Sequence, residues 1–278
     1  MKTSRKVLQV SGLNVNVKTD QGLLPLLHNI HFDLVEGQVL GLVGESGCGK
    51  TVTCNSLLQL MDQHTIVEGS IQLNGRELNG LDQKQMRQVR GKEIGFIMQN
   101  PMNAFTPVYT IGNQFMETIR AHSTLNKKEA YELAAVSLER VNLPNPYEIL
   151  KLYPYQLSGG MLQRVMIAMC MSMKPSVVIA DEPTTALDVV NQLQVLRQLE
   201  LLRSECGTTI LLISHDLSVI AEMADEVIVM QYGKIVEQAN VFQLFDHPED
   251  AYTKKLLNAR LRLPDPSSKQ TVEYAVNF

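Results

Sequence analysis

Val39-Leu40-Gly41-Leu42-Val43-Gly44-Glu45-Ser46-Gly47-Cys48-Gly49-Lys50-Thr51 is the stretch on which the fold turns. Its first five residues form a continuous apolar run with a glycine directly behind it, the signature of a strand covered on both faces. The next eight match the spacing G-x-x-x-x-G-K-[ST], and a helix-compatible segment follows. Gly44, Gly47 and Gly49 let the backbone curl, so that N–H groups around Glu45, Ser46 and Cys48 converge on phosphate oxygens at the positive end of a helix. Lys50 is positioned to neutralise β and γ phosphates, and Thr51 to hold Mg²⁺. A glycine turn with a surface lysine is the bland alternative, and the strand before and the helix after count against it. Cys48, at a helix start in an anion-binding loop, is expected to favour the thiolate and to alkylate faster than Cys54 or Cys170.

Working outward, similar apolar runs at Val177 to Ala180, Thr209 to Ile213 and Val227 to Met230 predict a mostly parallel central sheet. Residues 7–43 alternate apolar and polar positions, with Gly22 and Pro25 as interruptions, and read as an antiparallel β region. Between Thr110 and Pro154, Ala130, Leu133, Ala134, Leu138 and Val141 recur at helical spacing and predict an inserted helical lobe. The fold class is therefore α/β, a P-loop NTPase. The expected boundaries are a main domain over 1–240, which carries the phosphate loop, and a short C-terminal extension over 241–278. That extension carries a helix candidate from Tyr252 to Leu257, then a Pro264-Asp265-Pro266-Ser267-Ser268 breaker and a loose tail.

Bulk properties narrow the partners. With 25 Lys and Arg against 29 Asp and Glu, the net charge of −4 offers no general attraction to nucleic acid or anionic lipid. No apolar stretch approaches the ~20 residues of a spanning helix, and the N-terminus lacks the apolar core and cleavage site of a signal peptide. Cys48, Cys54, Cys170 and Cys206 show no C-x-x-C spacing, which predicts neither disulfide nor zinc.

Val177-Val178-Ile179-Ala180-Asp181-Glu182 is an apolar strand ending in two carboxylates, and strand ends are where open α/β sheets place ligand groups. Asp181 can reach a Mg²⁺ shell and Glu182 can polarise a water for attack on the γ-phosphate. Solvated strand-end acids are common, so the pair gains meaning from the glycine loop. Leu157-Ser158-Gly159-Gly160-Met161-Leu162-Gln163 then resembles the signature motif of ABC ATPases, just before the Asp181-Glu182 strand as in that family. Gln99 in Phe96-Ile97-Met98-Gln99-Asn100-Pro101 resembles the Q-loop, Ala186-Leu187-Asp188 is similar to the D-loop, and Ser214-His215-Asp216 resembles the H-loop. The likeness covers roughly residues 7–240.

A narrower resemblance runs through Gln99 to Pro107, Ala180 to Val189 and the tail His247-Pro248-Glu249-Asp250-Ala251-Tyr252-Thr253, which look like the oligopeptide, dipeptide and nickel importer ATPases. It implies an ATPase at the cytoplasmic face of the membrane that powers import of peptides, nickel or metal–chelator complexes. The implied partners are two membrane permease subunits, an extracytoplasmic solute-binding protein, and a second related ATPase or a second copy of this chain. It implies head-to-tail pairing, with Ser158, Gly159 and Gly160 reaching the γ-phosphate on the partner and Asp188 beside the nucleotide. Gln99 would sense Mg²⁺ and the γ-phosphate, His215 would contact the γ-phosphate, and the loop after Gln99 would face the permease.

Two departures accompany the likeness. The family stacks adenine on an aromatic residue of the first β region, whereas here no aromatic precedes Phe32 and Val17 stands at that position. Stacking is worth about 1–3 kcal/mol per base, so weaker adenine preference is expected. No cysteine follows Cys206, which predicts no iron–sulfur site. Met161, Met166, Met169, Met171 and Met173 read as helix core and contact surface. The rival reading, a non-transport ABC ATPase acting on DNA or ribosomes, calls for a long coiled-coil insertion or a second cassette, and this sequence has neither. A catalytically dead subunit is disfavoured by the presence of Lys50, Ser158, Asp181, Glu182 and His215.

Overall fold

Two long strands, β1 (Lys6–Thr19) and β2 (Gly22–Val35), pair antiparallel and lead into β3 (Val39–Val43), the phosphate-loop strand. The computed structural model describes residues 5–185 and 187–261. After β3 come α1 (Lys50–Leu57), β4 (Thr65–Leu73), β5 (Arg76–Glu77), α2 (Gln83–Val89) and β6 (Ile94–Ile97). The helical region follows, with α3 (Ile111–His122), α4 (Lys127–Arg140), the single turn α5 (Pro146–Ile149) and α6 (Gly159–Met173). The chain then alternates β7 (Val177–Asp181), α7 (Val189–Cys206), β8 (Thr209–Ile213) and α8 (Leu217–Met223). It continues through β9 (Glu226–Gln231), β10 (Lys234–Asn240), α9 (Val241–Asp246) and α10 (Ala251–Leu261). The expected tail and its proline breaker lie outside the described residues, as does Ala186.

Six strands form the central sheet in the order β10-β9-β3-β8-β7-β6, parallel throughout except for the β9–β10 hairpin. Strands β3, β7, β8 and β9 are buried on both sides, which is why they read as unbroken apolar runs. Val178, Ala180, Ile210 and Leu212 point into a core shared with the helical region, α7 and α8. Their neighbours Val177, Ile179, Leu211 and Ile213 point into a second core shared with β1, β2, α1 and α2. The period-2 alternation of the strand thus divides one sequence run between two cores. The four-stranded antiparallel sheet β2-β1-β4-β5 lies over the second core.

The edge strand β6 was absent from the sequence expectations, because four residues, Ile94-Gly95-Phe96-Ile97, make too short a run to stand out. It pairs parallel with β7, Ile97 opposite Ala180. The methionines of α6 agree with the reading as core and contact surface: Met166 and Met171 are buried, and Met161, Met169 and Met173 pack against them.

Candidate active site

Strand register assembles the site. Ile97 pairs with Ala180, Asp181 with Ile213, and Leu42 with Ile213, so β6, β7, β8 and β3 all end at one edge of the sheet. Two residues beyond the paired ends of β6 and β8 stand Gln99 and His215, one residue beyond that of β7 stands Glu182, and beyond β3 stands the glycine loop. Residues from four segments therefore meet without any of them being local to another, at the strand ends where α/β sheets bind ligands.

The loop from Gly44 to Gly49 requires its glycines. Gly44, Gly47 and Gly49 have φ of 154°, 81° and 113°. A Cβ on Gly44 would lie 2.4 Å from the Met230 carbonyl oxygen, and one on Gly49 2.7 Å from Leu27. Gly49 is the N-cap of α1, so the loop runs straight into a helix N-terminus. Lys50 is buried, and its Nζ donates to the carbonyl oxygens of Gly44 and Glu45 at 2.8 and 3.0 Å, while Thr51 is exposed at the cavity rim.

Glu182 is the hub of the other wall. Its Oε2 accepts from Gln99 Nε2 at 2.8 Å and Thr185 Oγ1 at 3.0 Å, and lies 3.1 Å from His215 Nδ1. Its own backbone adopts φ of 47°, a left-handed conformation that costs a non-glycine residue on the order of 1 kcal/mol. The bond from Glu182 N to Ile213 O and the turn bond from Thr185 N to Glu182 O hold it there. His215 follows the buried Ser214 and precedes Asp216, whose carboxylate caps α8 through Ser218 N. Burial raises the Asp181 carboxyl above its ordinary value, the neighbouring Glu182 adds to this, and Lys50 opposes it.

Together Ser46, Gly47, Lys50, Thr51, Gln99, Glu182 and His215 line a cavity of about 500 Å³. Glycines that exclude a Cβ, a buried cation and converging carboxylates suit a polyphosphate with a divalent cation. Leu26 forms the wall on the side of the N-terminal sheet. Val17 is not part of that wall: it pairs with Leu24 and Thr65 further along the β1–β2 hairpin.

The signature segment lies apart from this cavity. Ser158 caps α6 by accepting from Met161 N at 3.2 Å, and both Ser158 and Gly159 are exposed. Gly160 is buried, and a Cβ there would lie 3.0 Å from Asn191 Oδ1. Asn191 in turn donates to Asp188, the N-cap of α7, so the start of the signature helix packs against the capped first turn of α7.

Three points depart from the sequence reading. Cys48 is only 5% exposed, between Cys54 at 0% and Cys170 at 7%, and its Sγ lies 3.7 Å from Lys50 Nζ, so burial opposes the fast alkylation expected of it. The Cys170 thiol is itself pushed up to about 12 by burial. His215 faces Glu182 in this structure. Leu26 and Thr185 had not been singled out, although Thr185 stands three residues after Glu182, the spacing at which a turn returns a side chain to its start.

Residues 27–185 match the family model described as ABC transporter. Over 255 residues, 91% of this chain and 76% of the relative, the sequence is 43% identical to a probable peptide ABC transporter ATP-binding protein, y4tR, of Sinorhizobium fredii. It is 40% identical to the metal-staphylopine import system ATP-binding protein CntD of Staphylococcus aureus, over 89% of this chain and 90% of that one. It is 42% identical to the glutathione import ATP-binding protein GsiA of Escherichia coli over 98% of its length, but it spans only 44% of that relative. Among solved structures, the ATP-binding cassette MJ0796, in a dimeric post-hydrolysis state bound to ADP and Pi, superposes with a TM-score of 0.75 at 24% identity, covering 84% of this chain and 98% of that one, which shows the fold. With its glycine loop, paired carboxylates and signature helix in place, the chain belongs to the ABC transporter family of ATP-binding proteins and is an ATPase.

Proposed function

We propose that this chain is the motor subunit of an importer, turning ATP binding and hydrolysis into movement of two membrane permease subunits. The observation that carries the mechanism is the grip of Gln99, Thr185 and His215 on one oxygen of Glu182 at the mouth of the Lys50 loop. Loop N–H groups and Lys50 bind the β and γ phosphates, Lys50 exchanging its carbonyl partners for phosphate oxygens. Thr51, Asp181 and Gln99 would hold Mg²⁺, which would supply charge neutralisation of the phosphate oxygens. Glu182 accepts the proton of the attacking water. His215 chooses between Glu182, which its Nδ1 faces, and the γ-phosphate. That choice makes it responsive to nucleotide.

The exposed signature cap supports a composite site. Ser158, Gly159 and Gly160 of one subunit close over the phosphates of another, with Asp188 beside them. The partner is a second related ATPase or a second copy. On this reading the ATPase domain is residues 1–240, with 241–278 as an extension.

Peptides, nickel or metal–chelator complexes are the cargo class, delivered by an extracytoplasmic binding protein. The peptide and metal-staphylopine relatives support it. Among the described residues no helix is long and apolar enough to cross a membrane, which fits peripheral attachment at the cytoplasmic face. Beside the loop after Gln99 opens an apolar hollow of about 350 Å³, lined by Phe96, Met98, Phe105, Met166, Met169 and Met173. Methionine-rich surfaces adapt to an inserted helix, and the permease is assigned to dock there.

Glu182→Gln tests the mechanism. It preserves size and the acceptor oxygen but removes the base, so turnover should fall by ~10²–10⁴-fold while ATP binding survives. Normal hydrolysis by the variant would place the base elsewhere.

A further inference from the structure

The segment His247-Pro248-Glu249-Asp250-Ala251-Tyr252-Thr253 has no part in the chemistry above, yet its Tyr252 reaches the phosphate loop. We propose that Tyr252 is a positioning residue for nucleotide binding, its hydroxyl accepting the Glu45 N–H at 3.0 Å and so tying the loop to the C-terminal helix. Tyr252 is 8% exposed, and with Leu256 and Leu257 it belongs to the main core, so the hydroxyl sits on a fixed ring. The helix that carries it is itself seated by carboxylates. Glu237 of β10 accepts from Glu249 N and Asp250 N at 2.8 and 3.1 Å, and Asp250 accepts from Tyr252 N and Thr253 N at 2.7 and 3.3 Å.

A second tie reaches the same loop from the β9–β10 turn, where Gly233 N donates to Cys48 O at 2.9 Å. The glycine loop is thus braced on its outer limb by two parts of the C-terminal region, leaving its inner N–H groups to face phosphate. Removing the phenol oxygen leaves the Glu45 N–H without its acceptor and lets that limb relax. A loop that must be reordered on binding loses affinity, while groups at the γ-phosphate keep their places.

This inference rests on the reading that the loop binds MgATP. The test is the MgATP dissociation constant and melting temperature of the full chain as wild type, Tyr252→Phe, Thr253→Val and Lys50→Ala. Thr253 is fully buried with its Oγ1 unpartnered, so Thr253→Val probes helix packing without touching the loop. The expected result is a roughly 3- to 10-fold weaker Kd for Tyr252→Phe, the usual worth of one hydrogen bond, with little change in melting temperature and Thr253→Val binding as wild type. Hydrogen exchange on the wild type gives a second measurement, in which the Glu45 amide should be protected without nucleotide. An unprotected amide, wild-type affinity in Tyr252→Phe, or equal loss in Thr253→Val overturns the proposal. Wild-type affinity in Lys50→Ala overturns the nucleotide reading itself, and this inference with it.

Discussion

Two helix N-termini in this molecule are built from glycine and hydroxyl residues, and they differ in what surrounds them. The one at Gly49 is enclosed: its lysine is buried against loop carbonyls, and Gln99, Glu182 and His215 stand across a cavity. The one at Ser158 is open: its cap serine bonds to the first turn of its own helix, and both Ser158 and Gly159 face solvent. Anion-binding capacity is the same in kind at both, since each presents free N–H groups at a helix start. Only the first has a cation and carboxylates to complete a catalytic site within the chain. The difference teaches that one subunit carries a full binding half and an exposed second helix end, and this asymmetry supports the proposed head-to-tail pairing.

Substitutions at the two ends should therefore separate cleanly. Lys50→Ala removes a charge-assisted contact to phosphate and should weaken MgATP binding by the isolated chain by about 10–10²-fold. Unchanged affinity in a direct titration would mean that the enclosed end is not the nucleotide site.

Ser158→Arg sharpens the contrast from the other side. A bulky cation at the open end should leave nucleotide binding by the isolated chain within about 2-fold, because nothing there lines the Lys50 cavity. In the Glu182→Gln background, together with the partner ATPase, the same change should disperse an ATP-bound dimer on gel filtration. A dimer that survives Ser158→Arg would show that the signature helix closes on something other than nucleotide.

The enclosed site was largely legible in the sequence because its parts are local: a strand, a glycine spacing and two acids at a strand end. Asp181 and Glu182 could be read from the four apolar residues before them, Val177 to Ala180. Their arrangement could not. Gln99 and Glu182 are 83 residues apart, and their 2.8 Å contact follows from the pairing of Ile97 with Ala180 across a strand, β6, too short to announce itself. The burial of Cys48 was hidden for the converse reason: its position in the loop is local, but its burial comes from packing with the second core. Tyr252 and Leu26 reach the site from remote segments, one through a helix seat and one through a hairpin, and neither contact leaves a periodic trace in composition.

The smallest expected effect concerns the cost of assembling the enclosed site, and Asp181 reports it. Burial is the main cause that raises its carboxyl, Glu182 adds to it, and Lys50 opposes both. The folded chain therefore holds the Asp181 proton more tightly than the unfolded chain does. The penalty for its charge is absent below the ordinary carboxylate range and fully present once pH exceeds the raised folded value. Asp181→Asn removes that charge, so at neutral pH and without nucleotide the variant should melt modestly higher than wild type. The difference should close as pH falls through the raised value into the ordinary range, where both chains are neutral at this position. Adding MgATP should reverse the order, since the variant has lost a metal-holding carboxylate and gains less from the ligand. A variant that melts lower than wild type at neutral pH without ligand would mean that the Lys50 attraction outweighs burial. The enclosed end would then be a stabilising element, and the functional cost assigned to it would be absent.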